Sequence, residues 1–311
     1  MPFSCRSGSL QAMRVFVTGA SGFVGRRLVG RLREAGFDAH GADREVDVTD
    51  PDRIGRALAA HRPDAIIHLA AMSSVARSWR EPRLCYRLNF VGTRTLLRAA
   101  ARRCPETRIL LIGSADEYAP TRPGAKPIDE DTPLCPRSPY ARTKAAGELL
   151  GQIAAAEEGL DVVRVRAFNH TGAGQPDHFV VSSFARQLAR IALGRQEPVM
   201  RVGNLQSVRD FLHVEDVLRA YQGLLDPAVP ADVYNVASGR ATPIQEVLDR
   251  LIAIAGVSPR VEQDPERWRE TDWLVGDPTH LTRATGWRPE IGLPDILTEL
   301  HGYWLAEERR A

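Results

Sequence analysis

Lysine is almost missing from this chain. Of 41 basic residues only Lys126 and Lys144 are lysine, and the other 39 are arginine. The net charge is just +2 and the basic residues are scattered, which argues against nucleic acid or an anionic membrane as a partner. Cysteine is scarce too. Cys5, Cys85, Cys104 and Cys135 lack CxxC spacing and read as free thiols of a reducing, cytoplasmic compartment. No run approaches the ~18–20 apolar residues of a membrane-spanning helix. The opening MPFSCRSGSLQA lacks the apolar centre of a signal peptide. Residues 1–12 therefore read as a disordered extension, with Met13 a candidate initiation residue. The eight histidines show no metal-ligand spacing, so no metal is expected.

What is present describes an ordinary globular chain. A length of 311 residues, 43% of them hydrophobic, suits one large or two closely packed domains. RVFVT (14–18) is a β-branched run that stops at glycine, a buried-strand signal. Gly19, Gly22 and Gly25 follow at three-residue spacing, and Phe23 and Val24 open a helical pattern. Glycines there permit a tight turn and let backbone N–H groups approach a pyrophosphate. DAHGADRE predicts a second strand ending in Asp43 and Arg44. An acid at that place suits the adenine ribose of NAD, whereas an arginine suits the 2′-phosphate of NADP. Both cofactors stay open, with NADP(H) favoured over NAD(H). Asp47 and Val48 are candidates for the adenine edge. Leu69, Ala70 and Ala71 end a third strand with small residues that can lie against a cofactor, and Asn89 is a candidate for locking backbone near the nicotinamide.

RILLIGSADEY predicts a fourth strand with Ser114 at its carboxyl end, where ligands of open α/β sheets bind. DVVRVRAF supplies a fifth. Strands alternating with helices predict an α/β fold: a Rossmann-type doubly wound parallel sheet with a smaller C-terminal α/β substrate-binding domain. In SPYARTK, Tyr140 and Lys144 stand four apart, on one face of the predicted helix. The rarity of lysine suggests that this position needs a compact ammonium rather than a guanidinium fork. Ser114, Tyr140 and Lys144 together form a candidate proton-transfer set. A nearby ammonium would favour phenolate and lower the tyrosine pKa towards the working range.

With those residues assembled, the chain resembles the extended short-chain dehydrogenase/reductases that act on nucleotide sugars. Within them it is similar to the GDP-4-keto-6-deoxy-D-mannose reductases and GDP-mannose 4,6-dehydratases. The resemblance runs from Met13 onward and is carried by RAFNHTGAGQPDHFVVSSFARQLARI, QEPVMRVGNLQSVRDFLHVEDVLRAY and VYNVASG. It implies a GDP-linked sugar substrate and NAD(P)H-dependent reduction of its 4-keto group, giving GDP-D-rhamnose. It also implies a substrate-binding set of Ser73, Asn169, Phe179, Val180, Arg186, Asn204, Arg209 and Arg269, with the two last as pyrophosphate-binding arginines. Relatives carry Arg-Pro where this chain has Arg269-Glu270, and glycine where it has Ala119.

A 4,6-dehydratase is the main alternative, and a 4-epimerase a lesser one. Dehydratase relatives carry threonine and, two later, glutamate, where this chain has Ser114 and Asp116. A non-catalytic nucleotide-binding protein is the rival of another class, disfavoured because both Tyr140 and Lys144 are kept. The expected division is a dinucleotide-binding domain over 13–168 and a mainly nucleotide-sugar-binding domain over 169–311, with a strand near 232–236 returning to the first sheet. The resemblance further implies a homodimer, through helices at 83–103 and 140–158.

Overall fold

Period-two alternation in the first strands supplies the layers. The computed structural model describes residues 12–265 and 272–311. In β1 (Arg14–Thr18) the side chains of Val15 and Val17 join one core and Phe16 the opposite one, as successive residues of a strand must. β2 (Asp38–Ala42), β3 (Ala65–His68), β4 (Arg108–Ile112) and β5 (Asp161–Ala167) pair with it in parallel, and Val233–Val236 adds beyond β5. The order across the sheet is Val233–Val236, β5, β4, β3, β1, β2. Such a sheet is apolar on both faces and needs helices on both.

α1 (Phe23–Glu34) buries Leu28, Val29 and Leu32 on one face. α2 (Pro51–His61) buries Ile54 and Leu58 on the other, capped by the Asp50 carboxylate. Two short helices follow, α3 (Val75–Arg80) and α4 (Pro82–Tyr86). The helix expected over 83–103 is interrupted. α4 widens into a π-helical turn at Arg87–Val91 before α5 (Gly92–Arg103) resumes, and that turn carries Asn89. Wide turns of this kind tend to mark functional sites. α6 (Pro139–Glu158) starts with Pro139 in its first turn, where a missing N–H costs nothing. Ser138 caps it by accepting from the Ala141 N–H (3.0 Å), and left-handed Gly159 closes it.

The rest of the chain builds a second core. α7 (Val180–Ala192) packs Val181, Phe184 and Leu188 against Met200 and Val202. α8 (Val214–Gly223) returns to the sheet beside α1. α9 (Ile244–Ala255) joins the second core, α10 (Thr279–Thr285) adds Leu281 to the first, and α11 (Leu293–Arg310) closes the second with Leu297 and Leu300.

Candidate active site

The order in which strands are added to the sheet reverses between β1 and β3, which are parallel neighbours although β2 intervenes in sequence. Open sheets bind ligands at the carboxyl ends of such strands. There the turn after β1 meets the loop after β3. Gly19 has φ +70°, and a Cβ on it would lie 2.8 Å from the Ala70 nitrogen. A Cβ on Gly25 would collide with the Gly19 carbonyl. The turn is therefore folded down onto the first turn of α1, whose N-cap, Gly22, offers no side-chain cap. N–H groups at an uncapped helix start suit a diphosphate. Phe23 and Val24 lie half-buried in that first turn. Thr18 ties the two loops, hydrogen-bonding His68 Nδ1 (2.8 Å) and accepting from the Ala70 N–H (3.2 Å). Leu69, Ala70 and Ala71 are half-buried along this crevice.

Asn89 is buried from the π-helical turn. Its Oδ1 accepts the Met72 N–H (2.7 Å), and its Nδ2 donates to the Met72 carbonyl (3.1 Å) and to Thr143 Oγ1 (3.0 Å). One amide thus clamps the loop after β3 to α6. At the far end of the crevice, Asp43 and exposed Arg44 follow β2. Asp47 accepts from the Thr49 N–H and hydroxyl (2.9 and 2.8 Å), which hold its carboxyl below the usual range, and Val48 is buried.

Ser114, Tyr140 and Lys144 converge. Ser114 caps a short 3₁₀ turn (Ala115–Glu117), accepting the Asp116 N–H (3.2 Å), and its hydroxyl lies near enough to the Tyr140 phenol to favour the phenolate. Tyr140 is 8% exposed and packs with Met72 and Cys85. Burial, and then the Asp116 charge, push the phenol up from its ordinary value. The expected pull of Lys144 towards phenolate is not the governing effect among the chain's own groups. Lys144 instead donates to the Ile112 carbonyl (2.6 Å), and burial lowers its own pKa to about 8. Asp116 is half-buried in crowded surroundings that push its carboxyl up, with Arg209 opposing. A cavity of about 20 Å³ lies beside Lys144, lined by His68, Asn89, Thr143 and Glu148. His68 is fully buried and its pKa is lowered to about 3, chiefly by burial. Its neutral form therefore stabilises the fold above pH ~6.5, and that contribution falls away as pH drops towards about 3. Urea titrations should show wild type losing about 2 kcal/mol more than His68→Gln between pH 7 and pH 5. Parallel losses in the two proteins would remove His68 as the cause.

A buried polar network supports the loop over this site. Arg166 on β5 forms a fork with Glu148 of α6 (2.7 and 2.9 Å) and donates to Tyr118 Oη (2.6 Å) and the Glu130 carbonyl (3.0 Å). Tyr118 donates to Asn235 Oδ1 (2.9 Å), and Asn235 Nδ2 donates to the Ile128 carbonyl (2.9 Å).

The expected substrate residues are placed unevenly. Asn169 is exposed and opens the strand Asn169–Thr171. Ser73 is exposed one residue beyond the clamped Met72. Phe179 is the N-cap of α7, and Val180 is 39% exposed, so neither is part of the core. Asn204 is buried in the turn after Val199–Val202, accepting the Gln206 N–H (2.9 Å). Arg209 is half-buried beside Asp116, held by a fork to Asp272 (2.6 and 2.7 Å). Arg186 pairs with Asp177 and Glu308 and lies over the Trp304 ring (5.3 Å), tying α7 to α11. Arg269 lies outside the described residues. Among the described residues no cluster with metal-ligand character occurs.

One site residue escapes sequence reasoning. His170 lies next to Asn169, stacked parallel to the Phe23 ring of the glycine turn (6.5 Å between centroids). A ring nitrogen beside a carbonyl must be the donor, so Nδ1–H donates to the Phe168 carbonyl (3.0 Å) and the neutral ring keeps Nε2 as an acceptor. Burial lowers its pKa and favours that neutral form. Only its place beside Asn169 pointed there, and a lone histidine in such a stretch carries little signal by itself.

The family model described as GDP-mannose 4,6 dehydratase matches residues 44–300. The chain is 39% identical over 300 residues to GDP-6-deoxy-D-mannose reductase of Pseudomonas aeruginosa, covering 95% of this chain and 98% of that protein. Its fold is similar to the structure of RMD from Pseudomonas aeruginosa complexed with NADPH, with a TM-score of 0.87 and 38% identity, over 95% of this chain and 98% of that one. It is also similar to UDP-glucose 4-epimerase of Thermus thermophilus in complex with NAD. That comparison gives a TM-score of 0.84 and 29% identity over 94% of this chain and 99% of the other.

Proposed function

The chain belongs to the GDP-mannose 4,6 dehydratase family of extended short-chain dehydrogenase/reductases, and from that premise we propose that it reduces the 4-keto group of GDP-4-keto-6-deoxy-D-mannose, forming GDP-D-rhamnose. The observation that carries this reading is the convergence of Ser114 and Tyr140 at the carboxyl end of β4, with Lys144 one helical turn further on and bonded to the Ile112 carbonyl of that strand (2.6 Å). The likeness to a GDP-6-deoxy-D-mannose reductase supports the substrate class.

NADP(H) is the cofactor, supported by exposed Arg44 beyond β2 and by the NADPH in the similar RMD structure. The cradle fits it: the compressed Gly19–Gly25 turn and the uncapped start of α1 leave N–H groups for a diphosphate. When bound, the cofactor supplies hydride to carbon 4. Lys144 orients its ribose, and Asn89 fixes the loop on which it rests. Tyr140 passes its proton to the oxygen on carbon 4 while Ser114 holds that oxygen. His170 presents Nε2 as an acceptor on the cofactor side. Asn169, Ser73 and Arg209 face the nucleotide sugar. Arg209 then exchanges part of its bond to Asp272 for the substrate diphosphate. Arg209→Ala is expected to raise KM for the GDP-sugar about tenfold with kcat little changed. An unchanged KM would take Arg209 out of the site.

A second reading, a 4,6-dehydratase, has one observation in its favour. Asp116 binds its proton unusually firmly beside Tyr140, as a carboxyl that moves protons must. Two mixtures separate the readings. One contains GDP-4-keto-6-deoxymannose with NADPH, the other GDP-mannose with catalytic NADP⁺. Stoichiometric NADPH loss and a 6-deoxyhexose in the first alone support the reductase. A keto sugar in the second without net cofactor change would make the protein a dehydratase.

The enzyme is a cytoplasmic homodimer in this reading. The described cysteines Cys85, Cys104 and Cys135 are free thiols. Tyr86, Val91, Leu149 and Ile153 stay exposed along the α4–α5 run and α6, an apolar stripe suited to a copy of itself. Leu149→Glu should halve the mass read by light scattering. A wild-type chain with monomer mass would end the dimer.

A further inference from the structure

A second cleft opens between the loop that follows Val233–Val236 and α10. Its volume is about 540 Å³, within the ~300–1,000 Å³ usual for small-ligand sites. Arg240 of the loop, Thr279, Thr282 and Arg283 of α10, and Arg288 just beyond that helix line it. None of these belongs to the Ser114–Tyr140–Lys144 set, the glycine turn or the proposed nucleotide-sugar contacts. The proposed reaction leaves them without a task.

Three guanidiniums meet here without a counter-charge. Arg209, Arg219 and Arg250, in the same half of the chain, each pair with a carboxylate. Among the described residues, the side chains of Arg240, Arg283 and Arg288 have no hydrogen bond or ion pair, and no carboxylate lines the cleft. The acids that flank it in sequence are engaged elsewhere. Asp277 accepts the Thr279 N–H (2.8 Å), and Glu290 pairs with Arg219. The hydroxyls of Thr279 and Thr282 likewise have no partner among the described residues. A single solvated arginine is an ordinary surface feature, but three around one concavity repel one another, and an anion within it offsets that repulsion.

The walls are built, and one buried acid holds two of them. Asp210 is 0% exposed. Its Oδ1 accepts the Ser238 N–H (2.8 Å) and hydroxyl (2.6 Å), and its Oδ2 accepts the N–H groups of Gly239 (2.9 Å) and Gly276 (3.3 Å). Ser238 Oγ in turn accepts the Arg240 N–H (3.2 Å). Gly239 is left-handed (φ +75°), and a Cβ on it would lie 3.4 Å from Pro278. The loop bearing Arg240 and the segment entering α10 are thus fixed against each other by one carboxylate. On the other side Arg219 donates to the Arg288 carbonyl (3.1 Å). Backbone beneath the arginines is therefore set in advance, which lowers the ordering cost of binding.

We propose that this cleft is a second anion site, separate from the catalytic crevice, for a diphosphate-bearing ligand. Three guanidinium forks and two hydroxyls offer more donors than one carboxylate can accept, and they suit the many oxygens of a diphosphate. Free pyrophosphate and a nucleoside diphosphate share that group, and the volume admits either.

Equilibrium dialysis of the full chain, with one equivalent of NADPH bound, counts the equivalents of radiolabelled pyrophosphate or GDP taken up. About 0.15 M NaCl screens loose surface attraction. A variant combining Arg240→Ala, Arg283→Ala and Arg288→Ala is expected to bind one equivalent fewer than wild type. Exposed side chains without partners can be truncated with little effect on the fold. Should the triple variant fail to fold, Arg283→Glu alone is expected to weaken that equivalent about tenfold. Arg209→Ala is expected to keep the equivalent that the triple variant loses. Equal counts in wild type and triple variant, or unweakened binding in Arg283→Glu, overturn the proposal. Loss of the same equivalent in Arg209→Ala also overturns it, by assigning that ligand to the substrate crevice. Equal binding of pyrophosphate and GDP identifies the diphosphate alone as what is read, and tighter GDP binding adds a contact to the nucleoside. Guanosine bound there as tightly as GDP would remove the diphosphate from the argument and sink it. The count does not rest on the reductase reading, whose failure would show separately, as no NADPH loss with the keto sugar.

Discussion

Tyr140→Phe is expected to lower kcat about a thousandfold and to leave NADPH binding within about twofold. Phenylalanine preserves the ring that packs against Met72 and Cys85 and removes only the hydroxyl that faces Ser114. The size of the loss follows from where the proton sits. Burial and the neighbouring Asp116 raise the phenol above its ordinary value, so in the free enzyme Tyr140 is protonated throughout the neutral range. That is the state required of an acid in the reductive direction. The phenol should therefore not limit activity at moderately alkaline pH, and Lys144, at about 8, should. The alkaline limb of kcat is then expected to report Lys144 rather than Tyr140. A Tyr140→Phe enzyme retaining a tenth of wild-type turnover would show that another group delivers the proton. Asp116 would then be the first to examine.

Much of this site is local in sequence, and that part was legible. Strand, glycine turn and helix follow one another from Arg14 to Glu34. Tyr140 and Lys144 are one helical turn apart, and Ser114 stands just beyond β4, where the sheet exposes its carboxyl ends. Each inference needed only a period or a junction. What escaped depends on pairs brought together by folding. The Arg166–Tyr118 contact joins residues 48 apart and Tyr118–Asn235 residues 117 apart. Arg166 is buried on β5, and nothing in the spacing of DVVRVRAF announces Glu148 as its partner. The pairing of Arg186 with Glu308, 122 residues later, is of the same long-range kind. Lys144 stands out in the sequence as exceptional, but its effect on Tyr140 cannot be read from proximity alone. Burial, which acts on both groups and opposes charge on each, outweighs the ammonium until other charges enter the cleft.

The largest stability effect should come from Arg166→Met. Both members of the Arg166–Glu148 pair are almost wholly buried, their side chains 6% and 4% exposed. Removing the arginine leaves a carboxylate without its fork in a poorly polar interior, for which a loss of about 3–5 kcal/mol is expected. The damage should not stop at stability. Arg166 also holds Tyr118 Oη and the Glu130 carbonyl, and so anchors the segment that begins with Ser114. Urea unfolding measures the first effect, and KM for the GDP-sugar the second. The double variant Arg166→Met with Glu148→Leu separates the causes. Most of the stability should return, because no charge is left unpaired, but the anchoring of Tyr118 should not, so KM should stay raised. Arg166→Lys should restore neither in full, since an ammonium cannot serve a bidentate carboxylate and a phenol at once. An Arg166→Met protein as stable as wild type would show that the fork to Glu148 contributes nothing to holding α6 on β5.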